Sequence, residues 1–399
     1  MIILSSLLYK PHIGGIENSL FHIAKVFQAA GHHVAIYVSD KNNEEDTNEH
    51  LPSFEILDGI EIHRYKRRTI KFQVFKIFRP FFDIYDSFTH ASKTFKKIDV
   101  SLIINRNAEV GIGLNLAQKK EKSVYILPAL SRELDKIHGG DNIKDISKVW
   151  LTNNFLLNLK HLLQLTLIKQ SSFSIVFSKM MYNSIPYKHR KNYKVYIQPP
   201  GVICRKKNST QFLPCDSENV EKKYEFLIVG RIVRVKGIDI AIKAFSEIES
   251  KTARLLIVGE GPELNNLKAL CQHLSIQNRV EFTGFTRQPE QYYLQSHFFV
   301  MSSTYESFGQ TILEAMALGL PVVGFRSKPP DIRTATNEIV ENEVNGFLCD
   351  FSEESLTKTF NRCLCLSKQE TKKISEANIK KATEMYTWNA LCDFVEKTE

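Results

Sequence analysis

The chain has 399 residues, 43% hydrophobic and 24% charged. That length accommodates two domains, the composition is that of a globular protein, and no run is long and apolar enough to span a bilayer. The net charge is +9, and the excess lies wholly in residues 1–200, with 28 Lys and Arg against 18 Asp and Glu; residues 201–399 carry 25 against 26. A basic half points to an anionic partner, either a membrane surface or nucleic acid. The seven Cys all stand from Cys204 onward, odd in number and without a Cys-x-x-Cys pair. They read as reduced thiols of a cytosolic protein.

Ile2 to Leu8 is apolar, has no basic stretch before it and is followed by Lys10-Pro11-His12. It is expected to be a buried first strand, not a signal peptide. A loop with Gly14 and Gly15 follows. Then comes a helix from Asn18 to Ala30, with Leu20, Ile23, Ala24 and Phe27 on one face and Gly31 at its end. Val34 to Val38 is the next strand and Lys41 to His50 a polar excursion. Ile60 to Tyr65, Val100 to Ile104, Val124 to Leu127 and Ser174 to Phe177 are further strands with helices between them. This alternation predicts a parallel, doubly wound α/β sheet. Gln198-Pro199-Pro200-Gly201-Val202 reads as a hinge and Arg205 to Lys223 as a polar linker. A second alternation begins at Tyr224, with strands expected at Phe226 to Val229, Leu255 to Val258, Val280 to Phe282, Phe298 to Met301 and Val322 to Phe325. The expected division is 1–200, 201–375 and a helical segment 376–399.

Between the last two of those strands lies Glu306-Ser307-Phe308-Gly309-Gln310-Thr311-Ile312-Leu313-Glu314, followed by Ala-Met-Ala-Leu-Gly-Leu-Pro-Val-Val. The order is strand, polar loop, helix, strand, and ligands of open α/β sheets bind at the carboxyl ends of such strands. Backbone N–H groups of Ser307 to Gln310 would face an anion there. The Glu-x7-Glu spacing and the segment after it resemble the signature of retaining, nucleotide-sugar-dependent glycosyltransferases. These are the GT-B enzymes of the family numbered four, the bacterial polysaccharide and lipopolysaccharide type. The resemblance implies a GT-B fold, with two Rossmann-like doubly wound domains facing a central cleft and a C-terminal helix crossing back to the first domain. It implies that Glu306 meets hydroxyls of the donor sugar and that Glu314 holds the ribose.

Gly230-Arg231-Ile-Val-Arg-Val-Lys236-Gly237 closes the first strand of the second half. A guanidinium and an ammonium beside glycines at a strand end suit a diphosphate, and the run is similar to the family's diphosphate clamp. Arg231, Lys236 and Glu306 are therefore the expected catalytic residues. The turn Gly259-Glu-Gly-Pro262 resembles a wall of the family's nucleotide pocket, and Phe282-Thr-Gly284-Phe285 the loop that touches the base. Gly14-Gly15, with Glu17 in the first helical turn, resembles the segment that faces the donor. The expected donor-binding set is Gly14, Gly15, Gly259, Phe285, Ser307, Phe308, Gly309, Gln310, Thr311 and Glu314.

Two departures stand out. Many relatives carry a His after the strand near position 125, but Tyr125-Ile-Leu-Pro-Ala-Leu-Ser131-Arg132-Glu133 has none. His138 reads as a surface loop residue, His12 receives no role, and no general base is assigned. Ser327-Lys-Pro-Pro-Asp331 replaces the family's Gly-Gly element. No Asp-x-Asp occurs, so neither metal nor cofactor is expected, and a UDP-sugar is expected as donor ahead of a GDP-sugar. From Arg64 to Pro80, Arg67, Arg68, Lys71 and Lys76 interleave with Phe72 and Phe75, a pattern suited to an interfacial helix on anionic lipid. Lys148 to Lys169, with Trp150, reads equally as a second contact or a core helix. Nucleic acid is disfavoured because no reading motif accompanies the charge. The expected protein is a cytoplasmic enzyme, peripheral on the inner face of the plasma membrane. It would transfer a hexose-type sugar to a glycan or lipid-linked glycan of lipopolysaccharide, capsule or O-antigen. A non-transferring epimerase of the same fold, or a nucleotide-sugar-binding protein without turnover, stays open on sequence.

Overall fold

The computed structural model describes residues 1–12, 14–43, 50–70, 73–119, 121–131, 148–203 and 224–398. The chain divides into two compact units, Met1–Pro200 with Trp388–Glu399, and Gly201–Thr387.

The first unit holds strands β1 (Ile2–Ser5), β2 (Val34–Ser39), β3 (Phe54–Leu57), β4 (Ile60–Tyr65), β5 (Leu102–Asn105), β6 (Lys122–Ile126), β7 (Phe173–Val176) and β8 (Val195–Ile197). Their order is β3-β4-β2-β1-β5-β6-β7-β8. All pairs are parallel except the β3–β4 hairpin. The central strands are continuous apolar runs because both faces are covered. On one face Ile2, Leu4, Ile36 and Ile104 pack under helix α1 (Gly15–Ala29) and the helix Trp388–Lys397. On the other, Ile3, Tyr37 and Ile103 pack under α2 (Arg79–Thr94) and α3 (Ala108–Ala117). The expected strand Ile2 to Leu8 stops at Ser5, so Ser6 to Leu8 form a loop at the sheet's carboxyl edge. Sequence reading missed β3, whose Phe54 and Ile56 are exposed, because a half-solvated hairpin lacks a continuous apolar run.

The expected interfacial helix over Arg64 to Pro80 does not form as one element. Arg64 lies in the last two residues of β4 with its side chain fully buried and ion-paired to Glu55. Gln73–Phe78 is a 3₁₀ turn and α2 begins at Arg79. Arg67, expected at the membrane, is buried in a bidentate pair with Asp83 at 2.8 and 2.9 Å. A buried carboxylate on α2 draws the guanidinium inward, and the fork geometry holds it there. Arg68 pairs with Asp86 at 2.8 Å but stays half exposed over the rings of Phe82 and Tyr85; Lys76 is exposed. Lys71 and Phe72 lie outside the described residues, as do the side chains of Phe75 and Trp150. The helix Lys148–Gln170 buries Leu163, Leu165, Leu167 and Ile168, which makes it a core helix. No described helix is long and apolar enough to cross a membrane.

The second unit holds β9 (Tyr224–Val229), β10 (Leu255–Val258), β11 (Val280–Gly284), β12 (Ser296–Met301), β13 (Tyr305–Glu306), β14 (Val322–Phe325), β15 (Arg333–Thr334) and β16 (Gly346–Cys349). Six of them form a parallel sheet in the order β11-β10-β9-β12-β14-β16, and β13 pairs with β15. Phe226 anchors the core against Phe245, Phe298 and Phe360. The helix Lys368–Met385 belongs to this unit. Its buried Asn378 amide donates to Leu320 O at 3.0 Å and Asn345 O at 2.8 Å. The segment that packs with the first unit therefore starts at Trp388, not at residue 376. The amphipathic pattern continues across Met385, so sequence alone does not show where one core ends and the other begins.

Candidate functional site

Each sheet has a switch point, where successive strands are added on opposite sides and the following loops diverge to leave a crevice. In the second unit it lies between β9 and β12, in the first between β1 and β5. Most of the residues singled out by sequence fall at these two places.

At the carboxyl end of β9, Gly230 and Arg231 line a small crevice with Lys236, Ser302 and Ser303. The turn Arg234–Lys236 is fastened to the loop after β12. Ser302 Oγ donates to Lys236 O at 2.7 Å and Thr304 N to Val235 O at 2.9 Å. Gly237 permits this approach: its φ is +57°, and a Cβ would stand 2.3 Å from Ser302 O. The Lys236 ammonium meets Glu306 Oε2 at 2.5 Å, both side chains being mostly buried. Glu306 sits on β13, which β15 holds in register. Arg231 is exposed at the crevice mouth. Lys236 and Glu306, 70 positions apart in the sequence, thus meet as an ion pair, with Arg231 at the mouth of the same crevice.

Glu314 lies on the helix Gln310–Ala317, which starts at Gly309 in a left-handed conformation. The Tyr293 hydroxyl donates to Glu314 Oε2 at 2.9 Å. Burial pushes the Glu314 carboxyl above the usual carboxylate range, and the Tyr293 hydrogen bond opposes that shift. Tyr293 was missed by sequence reading; an aromatic in the short helix Glu290–Leu294, 21 positions from Glu314, carries no signal of its own. The sign is testable. A carboxyl whose folded pKa is raised favours folding at low pH and loses that contribution as pH rises through the raised value. Glu314→Gln should therefore raise the melting temperature of the free protein at neutral pH, with the difference vanishing at acid pH. Thermal denaturation across pH checks this; a lower melting temperature at neutral pH would contradict the burial account.

Of the other expected donor residues, Phe308 is buried edge-on to Tyr386 and the Gln310 amide donates to Gly201 O at 2.9 Å. Both side chains are thus engaged within the unit. Ser307 and Thr311 are partly buried beside them. Gly259 has φ +142°, and a Cβ there would fall 1.9 Å from Gly230 O. Its N–H donates to Gly284 O at 2.9 Å. These glycines let the β9, β10 and β11 loops close on one another. Phe285 presents a half-exposed ring next to them, its N–H bonded to Glu260 at 3.2 Å. Ser327 to Asp331 form a tight loop closed by a Lys328–Ile332 bridge.

In the first unit, the loops after β1 and β5 open onto a cavity of about 810 Å³. Glu17 projects into it from the first turn of α1. A Cβ on Gly14 would lie 2.6 Å from the Glu17 carboxylate, so Gly14 is needed for that side chain to fold back, whereas Gly15 meets nothing within 4 Å. His12 Nδ1 stands 3.4 Å from Glu17, and burial raises the Glu17 carboxyl above its ordinary value. His138, Arg132 and Glu133 lie outside the described residues. Arg106 and Glu109, which sequence reading passed over, also line the cavity. Their position directly after a strand was the available signal.

Residues 210–381 match the model of the family described as glycosyl transferases group 1. The match covers the second unit, where the cation pair and both glutamates lie. An uncharacterized glycosyltransferase of Haemophilus influenzae is 33% identical over 145 residues, 36% of this chain and 40% of that protein. The lipopolysaccharide core biosynthesis glycosyltransferase LpsE of Rhizobium meliloti is 36% identical over 125 residues, 31% of this chain and 34% of its own. The chain thus spans about two fifths of the length of the curated relatives it matches first. Anabaena HepE, solved with UDP and glucose, matches 100% of this chain and 98% of its own at a TM-score of 0.69 and 18% identity. The fold is GT-B, with two Rossmann-like α/β units.

Proposed function

We propose that the protein is a retaining, metal-independent glycosyltransferase that moves a hexose-type sugar from a nucleotide diphosphate donor. The observation that carries this is the Lys236–Glu306 pair at the β9–β12 switch point, with Arg231 at the mouth of the same crevice. The chemistry needs a group that stabilises negative charge as the nucleotide diphosphate departs, and a fixed acceptor of hydroxyl protons for the sugar. In the free protein each of Lys236 and Glu306 serves as the other's counterion. A donor would separate them, the ammonium turning to the diphosphate and the carboxylate to sugar hydroxyls. Arg231 adds a fork for phosphate oxygens. Glu314 accepts from the ribose, and Phe285 lies against the base. The two cations, Arg231 and Lys236, supply the neutralising charge.

UDP is taken ahead of GDP because HepE was solved with UDP and glucose. The first unit receives the acceptor, a glycan or lipid-linked glycan of cell-surface polysaccharide, the setting in which LpsE is named. A peripheral position on the inner face of the plasma membrane is part of the same proposal, with a changed set of residues. Phe78, Phe81 and Tyr85 are exposed at i, i+3 and i+7, next to Lys76, Arg79 and the half-exposed Arg68, and a mixed aromatic and basic face suits anionic lipid.

The experiment is product analysis with labelled UDP-sugars in EDTA, with acceptor membranes. Transfer with the anomeric configuration kept supports the reading. Inversion, or donor consumption only on adding a divalent metal, would contradict it.

A further inference from the structure

In the cavity of the first unit Arg106 is a buried cation without an ion pair among the described residues, although it feels the charge of Glu17. Arg106 directly follows β5 at the switch point, its N–H donating to Ser5 O at 2.8 Å. The residue is 3% exposed. One guanidinium nitrogen donates to Ile126 O at 3.1 Å and the plane lies over the Phe177 ring at 5.1 Å. Nε has no hydrogen-bond partner, and no carboxylate stands within ion-pair distance among the described residues. Removing a guanidinium from water without pairing it is costly, and burial accordingly pulls its pKa down to about 10.

The acids that line the same cavity are otherwise engaged. Asp83 is held bidentately by Arg67. Glu17 stands against His12 and feels the Arg106 charge without forming an ion pair with it, and Glu109 feels Lys160 most among its charged neighbours. Burial shifts both glutamates toward their neutral forms. The cationic lining includes Arg106, Lys160, Lys76 and Arg79, of which Arg79 donates to Arg68 O. A polar cavity of this volume is large enough for a ligand of sugar-phosphate size.

We propose that this cavity takes an anionic group, a phosphate or carboxylate carried by the acceptor, seated on the Arg106 guanidinium with Lys160 as second cation. A planar fork facing an anion makes charge-assisted bonds that an uncharged glycan cannot supply. The anion can reside on a soluble phosphorylated sugar or on a lipid headgroup; the chemistry at Arg106 is the same. The inference rests on the reading of the first unit as the acceptor side, and binding, not transfer, tests it separately.

The test uses the full chain carrying Arg231→Ala and Lys236→Ala, so that the cations of the second unit cannot contribute. Glucose 6-phosphate and glucose are titrated by calorimetry. Sedimentation with phosphatidylcholine vesicles, with and without phosphatidic acid, forms the lipid arm. Glucose 6-phosphate should bind and glucose should not. Arg106→Met should weaken binding about tenfold or more, Lys160→Gln less, and Arg106→Lys should fall between wild type and Arg106→Met. If Arg106→Met fails to fold, Arg106→Lys and Lys160→Gln still read the effect. Arg106-dependent binding to phosphatidic acid vesicles alone supports the anion with a lipid source. Equal binding of glucose and glucose 6-phosphate, no effect of any variant, or no binding in either arm overturns the proposal. If neither glucose 6-phosphate nor anionic vesicles bind while a chain that keeps Arg231 and Lys236 transfers sugar, this inference alone is overturned. If that chain transfers nothing while Arg106-dependent binding is present, the transferase reading alone is overturned.

Discussion

Lys236→Ala should reduce the rate of sugar transfer by on the order of a hundred- to a thousandfold, the usual cost of removing one preorganised donor at a site of developing charge. The turn that carries Lys236 is pinned by Ser302 and Thr304 to the loop after β12, so the scaffold positions the lysine. The loss should fall on kcat, because the diphosphate gains charge as it leaves, with a smaller change in KM. Arg231→Ala should behave similarly. Arg231→Lys should recover only part of the rate, since a point charge does not reproduce the fork. Steady-state kinetics with a labelled UDP-sugar measure this. A Lys236→Ala enzyme within a few-fold of wild type would show that the lysine is only a counterion for Glu306.

Glu306→Gln should also lower transfer, by roughly tenfold to a hundredfold for each sugar hydroxyl that loses its charged acceptor. Its effect on nucleotide affinity should run the other way. With Glu306 neutral, the 2.5 Å pair to Lys236 no longer has to be broken when the diphosphate arrives. UDP should bind as well as to wild type or better, while the UDP-sugar loses its advantage over UDP. Glu314→Gln gives the opposite split, with UDP binding weakened. Measuring UDP and UDP-sugar affinities for both variants separates the roles. Equal loss of UDP affinity in the two would show that the glutamates do not divide sugar and ribose between them.

The proposed donor site of the second unit was legible because its residues sit in short segments at strand ends. Gly230 to Gly237 and Glu306 to Glu314 each join a strand to a helix, and hydrophobic periodicity placed both strands. The Lys236–Glu306 contact itself was not legible, since it depends on β9 and β12 being neighbours in the sheet. Tyr293 and Arg106 were missed for the same reason: their importance arises from what the fold brings beside them. The membrane-facing reading of Arg67 failed because basic and aromatic residues in one stretch do not reveal acids elsewhere, and Asp83 on α2 is what turned that guanidinium inward. Phe78, Phe81 and Tyr85 share a face only because α2 starts at Arg79 and continues past the basic segment.

The measurement that bears most directly on the donor site is a calorimetric titration of UDP in EDTA against wild type, Glu314→Gln and Lys236→Ala. The account predicts binding to wild type without metal, clearly weakened by each substitution. Absence of UDP binding, or binding indifferent to both substitutions, would contradict the assignment of the β9–β12 crevice as the nucleotide-sugar site.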